Sequence, residues 1–266
     1  MVETATYRGE LDGMDRDYNV GCQLVVFGTR WQHDLDGVLA EVADAGFTGV
    51  EASNLYAWHD RAAVRRSLAR YGLVLCGVHC DFDEITDDTR LDAAIDFLRD
   101  NDARYLINSG VGAGHGRVQS YEAAAEVFNH IGRRCQEAGL TLCYHNHDWD
   151  FSAVDGIVPF HRLMELTDPA VVKIALDVYW VTFAGRDPLE FIATYGARIP
   201  YVHLKDLRDG TFAELGTGTI DFPSILHALR ASAPVEWLIN DQDRTALPTK
   251  EALDISARYL HQTLDV

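Results

Sequence analysis

The chain has 266 residues, of which 47% are hydrophobic and 24% are charged, a composition typical of a globular protein with a large buried core. Its 41 acidic residues outnumber its 23 basic ones, and a formal net charge of -18 disfavours nucleic acid as a partner because it repels phosphate. The N-terminus lacks a signal-peptide pattern and no run reaches about 18 apolar residues, so we expect a cytoplasmic protein without a membrane partner.

Short apolar runs alternate with longer segments of helical periodicity, which is typical of parallel strands joined by crossover helices. The first strand is predicted near 22–27, and a helix follows within 33–47, where apolar residues recur at helical spacing before Gly46. A helix near 187–195 begins with Asp187 as N-cap and Pro188 at the first turn, and Gly196 follows its end. Seven more strands are predicted near 48–52, 73–79, 104–109, 140–145, 172–177, 201–205 and 236–240.

Eight strand–helix units of roughly 33 residues match the size of a (β/α)8 TIM barrel of about 250 residues. No linker divides the chain, so we predict a single α/β domain at 20–266 preceded by an N-terminal extension at 1–19. An open doubly wound sheet is the alternative, and it is disfavoured because no glycine-rich phosphate loop follows the first strand. The five cysteines form no CxxC pair, which favours buried free thiols over disulfides or a zinc framework.

Polar side chains stand at the ends of most predicted strands, where the active site of a barrel lies. The set comprises Glu51, His79, Asn108, His145, His147, Asp177, His203, Lys205 and Asp241. Any one of them alone is more often a cap or a satisfied polar group. Six strand ends together favour a metal or a substrate, because grouped ionisable side chains are costly without one. The mixture of carboxylate and imidazole suits one divalent ion such as Mn²⁺, Co²⁺, Zn²⁺ or Mg²⁺.

From about Val20 onward the chain resembles the sugar phosphate isomerase/epimerase group of xylose isomerase-like barrels. The resemblance rests chiefly on "YHNHDWDF" at 144–151 and on "ALDVYW" at 175–180 followed by "HLKD" at 203–206. It implies a metal held from strands five to eight, by Asp150, Asp177, His203 and Asp241. Members of the group usually carry Glu where this chain has Asp150 and Asp241.

In that group the two glutamates both bind the ion and exchange protons with the substrate from opposite sides. Aspartate is one methylene shorter, and a misplacement of ~1 Å can cost about 100-fold in rate. Three outcomes follow: the ion lies deeper and Asp150 and Asp241 remain the bases, another residue becomes the base, or the site is weak. His145 and His147 are the nearest alternative bases, because imidazole titrates near neutral pH.

The resemblance implies an isomerase or epimerase that abstracts a proton α to the carbonyl of a keto-sugar or related polyol. We expect Lys205 to stabilise the developing oxyanion, and Trp149 and Trp180 to stack on the sugar. Predicted substrate contacts also include Glu51, His79, Asn108 and Arg208. The alternatives are a lyase that uses the same enediolate on a keto-sugar, keto-inositol or keto-glycoside, a non-catalytic sugar-binding barrel and, disfavoured by the charge, an apurinic endonuclease. Related barrels often form homo-oligomers.

Overall fold

A computed structural model describes residues 18–112, 114 and 117–266, and eight of its parallel strands close into one barrel. The strands are β1 (Asn19–Gln23), β2 (Gly49–Ser53), β3 (Val74–Asp81), β4 (Tyr105–Ser109), β5 (Thr141–His145), β6 (Val172–Asp177), β7 (Tyr201–Leu204), β8 (Asp206–Arg208), β9 (Thr211–Ala213) and β10 (Trp237–Asn240). The barrel order is β1-β10-β7-β6-β5-β4-β3-β2, and β1 pairs with both β2 and β10. The predicted (β/α)8 barrel is therefore confirmed, and β8 and β9 form a separate antiparallel hairpin after β7.

Helices connect the strands on the outside of the barrel. They are α1 (Leu35–Ala45), α2 (Leu55–Trp58), α3 (Arg61–Tyr71), α4 (Phe82–Ile85), α5 (Asp88–Asp100), α6 (Val118–Glu137), α7 (Pro159–Leu166), α8 (Val178–Phe183), α9 (Pro188–Tyr195), α10 (Phe222–Ser232) and α11 (Thr249–Thr263). Gly46 ends α1 in the left-handed conformation at φ 101°, as its position predicts. Gly196 ends α9 with a right-handed φ of -47° instead, because the chain continues into a 3₁₀ turn at Gly196–Arg198.

The first strand ends earlier than the apolar run at 22–27 predicts. Residues Leu24–Phe27 form a 3₁₀ turn, because the Gln23 side-chain oxygen accepts a hydrogen bond of 2.7 Å from the Val25 amide and caps it. The extension predicted at 1–19 lies outside the described residues except for Tyr18 and Asn19, and Asn19 begins β1. Within the described part of the chain, no helix is long and apolar enough to cross a membrane.

Side chains alternate between the inside and the outside of the barrel along each strand. The inside is filled by one small apolar cluster, whose members are Cys76, Tyr105, Ile107, Cys143, Ala175, Tyr201 and Ile239. A larger cluster fills the space between the outer strand faces and the helices. All five cysteines are buried and free, as predicted. On β4, β5, β6, β7 and β10, the side chain two positions after an inward apolar residue faces the carboxyl end of the barrel.

Asp206 organises the long connection between β7 and α10. Its carboxylate accepts hydrogen bonds from the amides of Leu207, Gly216, Gly218 and Ile220, at distances of 2.8 to 3.1 Å, and it is buried. Gly218 lies so close that a β-carbon there would stand 2.3 Å from the Asp206 Oδ1 atom. The hairpin β8–β9 and the loop after it therefore depend on one carboxylate.

We predict that Asp206→Ala lowers the free energy of unfolding by about 3 kcal/mol, because four hydrogen bonds to a buried carboxylate are lost and each contributes roughly 1 kcal/mol. Urea unfolding measures this loss. The matched control is Asp83→Ala at an exposed position, with an expected change within about 0.5 kcal/mol. Equal effects of the two variants would contradict the role given to Asp206.

Candidate active site

Polar side chains replace the apolar cluster at the carboxyl end of the barrel. Those that follow inward positions are Gln23, Glu51, His79, Ser109, His145, Asp177, His203, Lys205 and Asp241. All of them are buried except His79 and Ser109, which are partly exposed. The structure thus brings together most of the predicted site residues, and each strand from β1 to β7 as well as β10 contributes to this mouth.

A chain of close contacts runs through the buried imidazoles. Both oxygens of Glu51 lie near Nε2 of His203, at 3.2 and 3.0 Å, and Nδ1 of His203 lies 2.9 Å from Nδ1 of His145. Glu51 also accepts a hydrogen bond of 3.3 Å from the Gln23 amide and lies 3.5 Å from Nδ1 of His79. His79 contacts the Ser109 hydroxyl through Nε2 at 2.9 Å.

Burial and neighbouring charges shift the pKa values of these groups in opposite directions. Burial lowers the pKa of His145 well below its usual value, and the positive charges of His203, His147, His79 and Lys205 add to the effect. Burial would also lower the pKa of His203, but the Glu51 carboxylate outweighs it and raises that pKa. Two neighbouring imidazoles in one barrel therefore differ, with His145 kept neutral.

Lys205 carries the positive charge at the centre of the mouth. Its Nζ atom lies 3.2 Å from Asp177 Oδ2, 3.0 Å from Asp241 Oδ2 and 2.9 Å from Asp243 Oδ2, and the side chain is only 2% exposed. Burial would lower the pKa of this amine, but the three carboxylates raise it above its usual value. Burial raises the pKa of Asp177, and Lys205 opposes that shift. The ammonium balances a cluster of acids that would otherwise repel one another.

Three buried side chains converge closely enough to hold one cation. Ligand atoms of His145, His203 and Asp241 all lie within 4.8 Å of one another. The Asp177 Oδ2 atom, beside them at 3.7 Å from His145 Nε2, is buried, and among the described residues the Lys205 ammonium alone can donate to it. Imidazole and carboxylate ligands suit Mn²⁺, Co²⁺ or Zn²⁺, and the residues present fit such an ion.

Asp150 does not join the other three residues of the predicted ligand set. One of its oxygens accepts hydrogen bonds from Tyr121 at 2.5 Å and Tyr144 at 3.0 Å, and the other accepts one of 2.8 Å from the His147 amide. Tyr144 belongs to the outer cluster, because it alternates with the inward residues of β5. Among the described residues, no hydrogen bond or ion pair links Asp150 to Asp177, His203 or Asp241. The 3₁₀ turn at Asp148–Phe151 directs this carboxylate toward the helices.

Burial raises the pKa of Asp150 to about 6, against the hydrogen bonds from Tyr121, His147 and Tyr144. The folded protein therefore binds this proton more tightly than the unfolded chain, where the carboxyl titrates near 3.8. Its contribution to stability is full below about pH 4 and is lost as the pH rises through about 6. The loss amounts to about 3 kcal/mol at 1.36 kcal/mol per pKa unit.

We predict that wild-type protein loses about 3 kcal/mol more stability between pH 4 and pH 7 than Asp150→Asn, which has no titrating carboxyl at this position. Urea unfolding of both proteins at the two pH values gives the difference, since the other groups titrate alike in both. Identical pH dependence would show that Asp150 is ionised as easily in the fold as in the unfolded chain.

Asn108 and Arg208, both predicted to bind substrate, lie away from the buried cluster. Asn108 alternates with the inward residue Ile107, so its amide faces outward and donates a 2.8 Å hydrogen bond to the Cys80 carbonyl. The mouth residue of β4 is Ser109, which the sequence reasoning missed. Counting two positions from Ile107 identifies it. Arg208 is exposed on the hairpin and donates to the Thr217 carbonyl at 3.3 Å.

An aromatic wall borders the mouth beside β5 and β6. His147 stacks on Trp149 with ring centres 4.2 Å apart and planes 7° apart, and it lies 5.3 Å from the Trp180 ring. The Lys205 ammonium lies 5.3 Å from the Trp180 centre and 5.8 Å from that of Phe212 on the hairpin. The Lys205 ammonium thus lies within cation–π distance of two aromatic rings.

A closed eight-stranded parallel barrel with titratable groups at its carboxyl end defines the class of TIM-barrel enzymes. A family model described as "Xylose isomerase-like TIM barrel" matches residues 39–262. The chain belongs to this family, which confirms the resemblance in its motifs.

Curated relatives include inosose dehydratases. One from Geobacillus kaustophilus is 27% identical, and the match covers 79% of this chain and 80% of the relative. Inosose dehydratase 2 of Bacillus cereus is 25% identical, with 80% of this chain and 83% of that protein covered. Both of these relatives are thus named as dehydratases.

Solved structures of similar fold are named as epimerases and isomerases. A sugar phosphate isomerase/epimerase from Parabacteroides distasonis superposes with a TM-score of 0.80 at 21% identity, covering 94% of this chain and 96% of the other. An L-ribulose 3-epimerase gives a TM-score of 0.76 at 19% identity, with 94% and 95% covered. At these identities the likeness establishes the fold.

Proposed function

We propose that this protein is a divalent-metal-dependent lyase that removes water from a keto-inositol or a related keto-sugar. The carrying observation is a pair of partly exposed imidazoles, His79 and His147, which both lie against the buried His145. The His79 ring centre lies 5.2 Å from that of His145, and the His147 ring centre lies 4.9 Å from it. Elimination needs one base and one acid, and an imidazole side chain can take either role.

His145, His203 and Asp241 would hold the ion, which would polarise the substrate carbonyl as a Lewis acid. Lys205 lies beside them and would donate a hydrogen bond to the oxygen that gains negative charge. This arrangement makes the hydrogen on the neighbouring carbon more acidic.

In the proposed step, His147 accepts the proton from the carbon next to the carbonyl. The electron pair of that C–H bond forms a double bond to the next carbon, and the C–O bond there breaks. His79 gives a proton to the departing hydroxide, so that water leaves and an enone remains. Trp149 and Trp180 would border the sugar ring and exclude bulk water.

The relatives support this substrate class, because several of them are named inosose dehydratase. Of the two carboxylates predicted to bind the metal and act as bases, Asp241 lies among the three candidate ligands and Asp150 does not. Proton exchange by two carboxylates from opposite sides, as the sequence suggested for an epimerase, has less support, because Tyr121, Tyr144 and the His147 amide hydrogen-bond to the Asp150 carboxylate.

The second candidate function is epimerisation, in which His79 and His147 would act as the two acid–base groups on one substrate carbon. Two structural neighbours are named as epimerases, which supports this alternative. It predicts solvent hydrogen in a product of unchanged formula.

The test is incubation of the Mn²⁺-loaded protein with inosose in D₂O, followed by mass spectrometry and ultraviolet absorbance of the enone. Dehydration supports the lyase. Deuterium uptake without loss of water assigns the epimerase instead. Absence of both reactions, with no binding of Mn²⁺ to the chelator-treated protein, would favour a non-catalytic sugar-binding barrel.

A further inference from the structure

We infer that Glu51 is a positioning residue that fixes two imidazoles at once, the ring of His203 toward the candidate cation site and the ring of His79 toward Ser109. The sequence suggested a substrate contact for Glu51, but its side chain is 0% exposed and lies beneath the mouth. The inference rests on the proposed function for the roles of His203 and His79, and on the contacts of Glu51 for its own role.

The direction of the hydrogen bonds follows from the chemistry of a carboxylate. An ionised carboxylate only accepts, so the ring nitrogens that face Glu51 must carry the hydrogens. Glu51 contacts Nε2 of His203 at 3.0 Å and Nδ1 of His79 at 3.5 Å. In neutral rings, the nitrogens without a hydrogen are then Nδ1 of His203 and Nε2 of His79.

Each of these two nitrogens lies close to another residue of the candidate site. Nδ1 of His203 lies 2.9 Å from the His145 ring, within the group of three candidate ligands. Nε2 of His79 lies 2.9 Å from the Ser109 hydroxyl at the partly exposed edge of the mouth. One buried carboxylate thereby orients the ring that would bind the ion and the ring that would move a proton.

Gln23 holds Glu51 in turn. The Gln23 side-chain oxygen accepts a hydrogen bond from the Val25 amide, which leaves its NH₂ group to donate to Glu51 Oε1 at 3.3 Å. The 3₁₀ turn at Leu24–Phe27 therefore sets the orientation of the amide, and the amide helps to fix the carboxylate. Mutation of a residue that hydrogen-bonds to a metal-binding histidine typically changes the metal affinity by 10- to 100-fold.

The first experiment compares Glu51→Gln with Glu236→Gln by titration of chelator-treated protein with Mn²⁺. Glu236 is the control because it also lies at a barrel strand, yet it pairs with the exposed Arg104 at the opposite end of β10. We expect Glu51→Gln to weaken Mn²⁺ binding about 10- to 100-fold, because the amide can donate to Nε2 and so place the hydrogen on Nδ1. The Kd of the control should match the wild type.

Glu51→Asp keeps the negative charge and should recover part of the lost affinity. An unchanged Mn²⁺ affinity in folded Glu51→Gln, whatever its stability, would overturn the inference and leave Glu51 a purely structural residue. Wild-type protein that binds Mn²⁺ yet does not act on inosose would refute the proposed lyase activity while this comparison still stands.

The second experiment needs no change to Glu51 and decides the matter if that variant does not fold. ¹⁵N NMR is recorded on the unmodified protein at a pH where both rings are neutral, and replacing each histidine singly assigns the signals. The spectra should show the hydrogen on Nε2 of His203 and on Nδ1 of His79. The opposite tautomer in either ring would overturn the inference.

Discussion

Asp241→Asn should weaken Mn²⁺ binding by more than about 100-fold and reduce dehydration of inosose by at least the same factor. Asp241 is the carboxylate among the three converging ligands, and its Oδ2 atom also lies 3.0 Å from Lys205. Loss of an outer-shell partner already costs 10- to 100-fold in affinity, so loss of a ligand costs more. Mn²⁺ titration and a turnover assay at saturating Mn²⁺ measure the two effects.

Asp150→Asn is the matched control, since it makes the same chemical change at the other predicted ligand that is an Asp where the resemblance implies Glu. Its carboxylate is engaged by Tyr121, Tyr144 and the His147 amide, away from the ligand group. We expect the Mn²⁺ affinity of this variant to stay within about threefold of the wild type. A loss of affinity as large as that of Asp241→Asn would restore Asp150 to the ligand set.

Lys205→Met should lower the free energy of unfolding by about 3–5 kcal/mol in the metal-free protein. The replacement removes the ammonium that Asp177, Asp241 and Asp243 share, and breaking a buried ion pair on one side leaves uncompensated charge. Added Mn²⁺ should recover about 2.7 kcal/mol when its concentration is 100 times its Kd. Urea unfolding with and without Mn²⁺ measures both quantities.

The control for Lys205 is Lys250→Met, which breaks an ion pair with Asp254 one helical turn away on the surface. Such exposed pairs contribute about 0–1 kcal/mol. A loss of less than 1 kcal/mol in Lys205→Met would show that the three acids are protonated or hydrated rather than held by the ammonium.

The barrel could be predicted from sequence because each strand and helix is specified by residues within or next to it. Each strand is a short apolar run, and helices such as α1 and α9 carry their own start signals in Asp34 and Asp187, whose side chains cap them. The early end of β1 could not be predicted in the same way. Leu24–Phe27 is as apolar as a strand, but the neighbouring Gln23 side chain accepts a hydrogen bond from the Val25 amide and caps a 3₁₀ helix there.

The site was predictable wherever the alternation of a strand continues to its end. Glu51, His145, Asp177, His203 and Lys205 all fall two positions after an inward residue, and all reach the mouth. The same count excludes Asn108 and selects Ser109. Asp150 lies beyond the strand, where a motif fixes the residue type but a turn decides its direction. The ion pairs of Lys205 and the hydrogen bonds of Glu51 join strands that are distant in sequence, so no local pattern predicts them.

The most direct test of one cation at this mouth is a crystal structure of Mn²⁺-soaked protein with anomalous scattering from manganese. The account predicts a single peak bonded to His145, His203 and Asp241, with no manganese at Asp150. A peak at Asp150, or no peak at the mouth under saturating Mn²⁺, would contradict it.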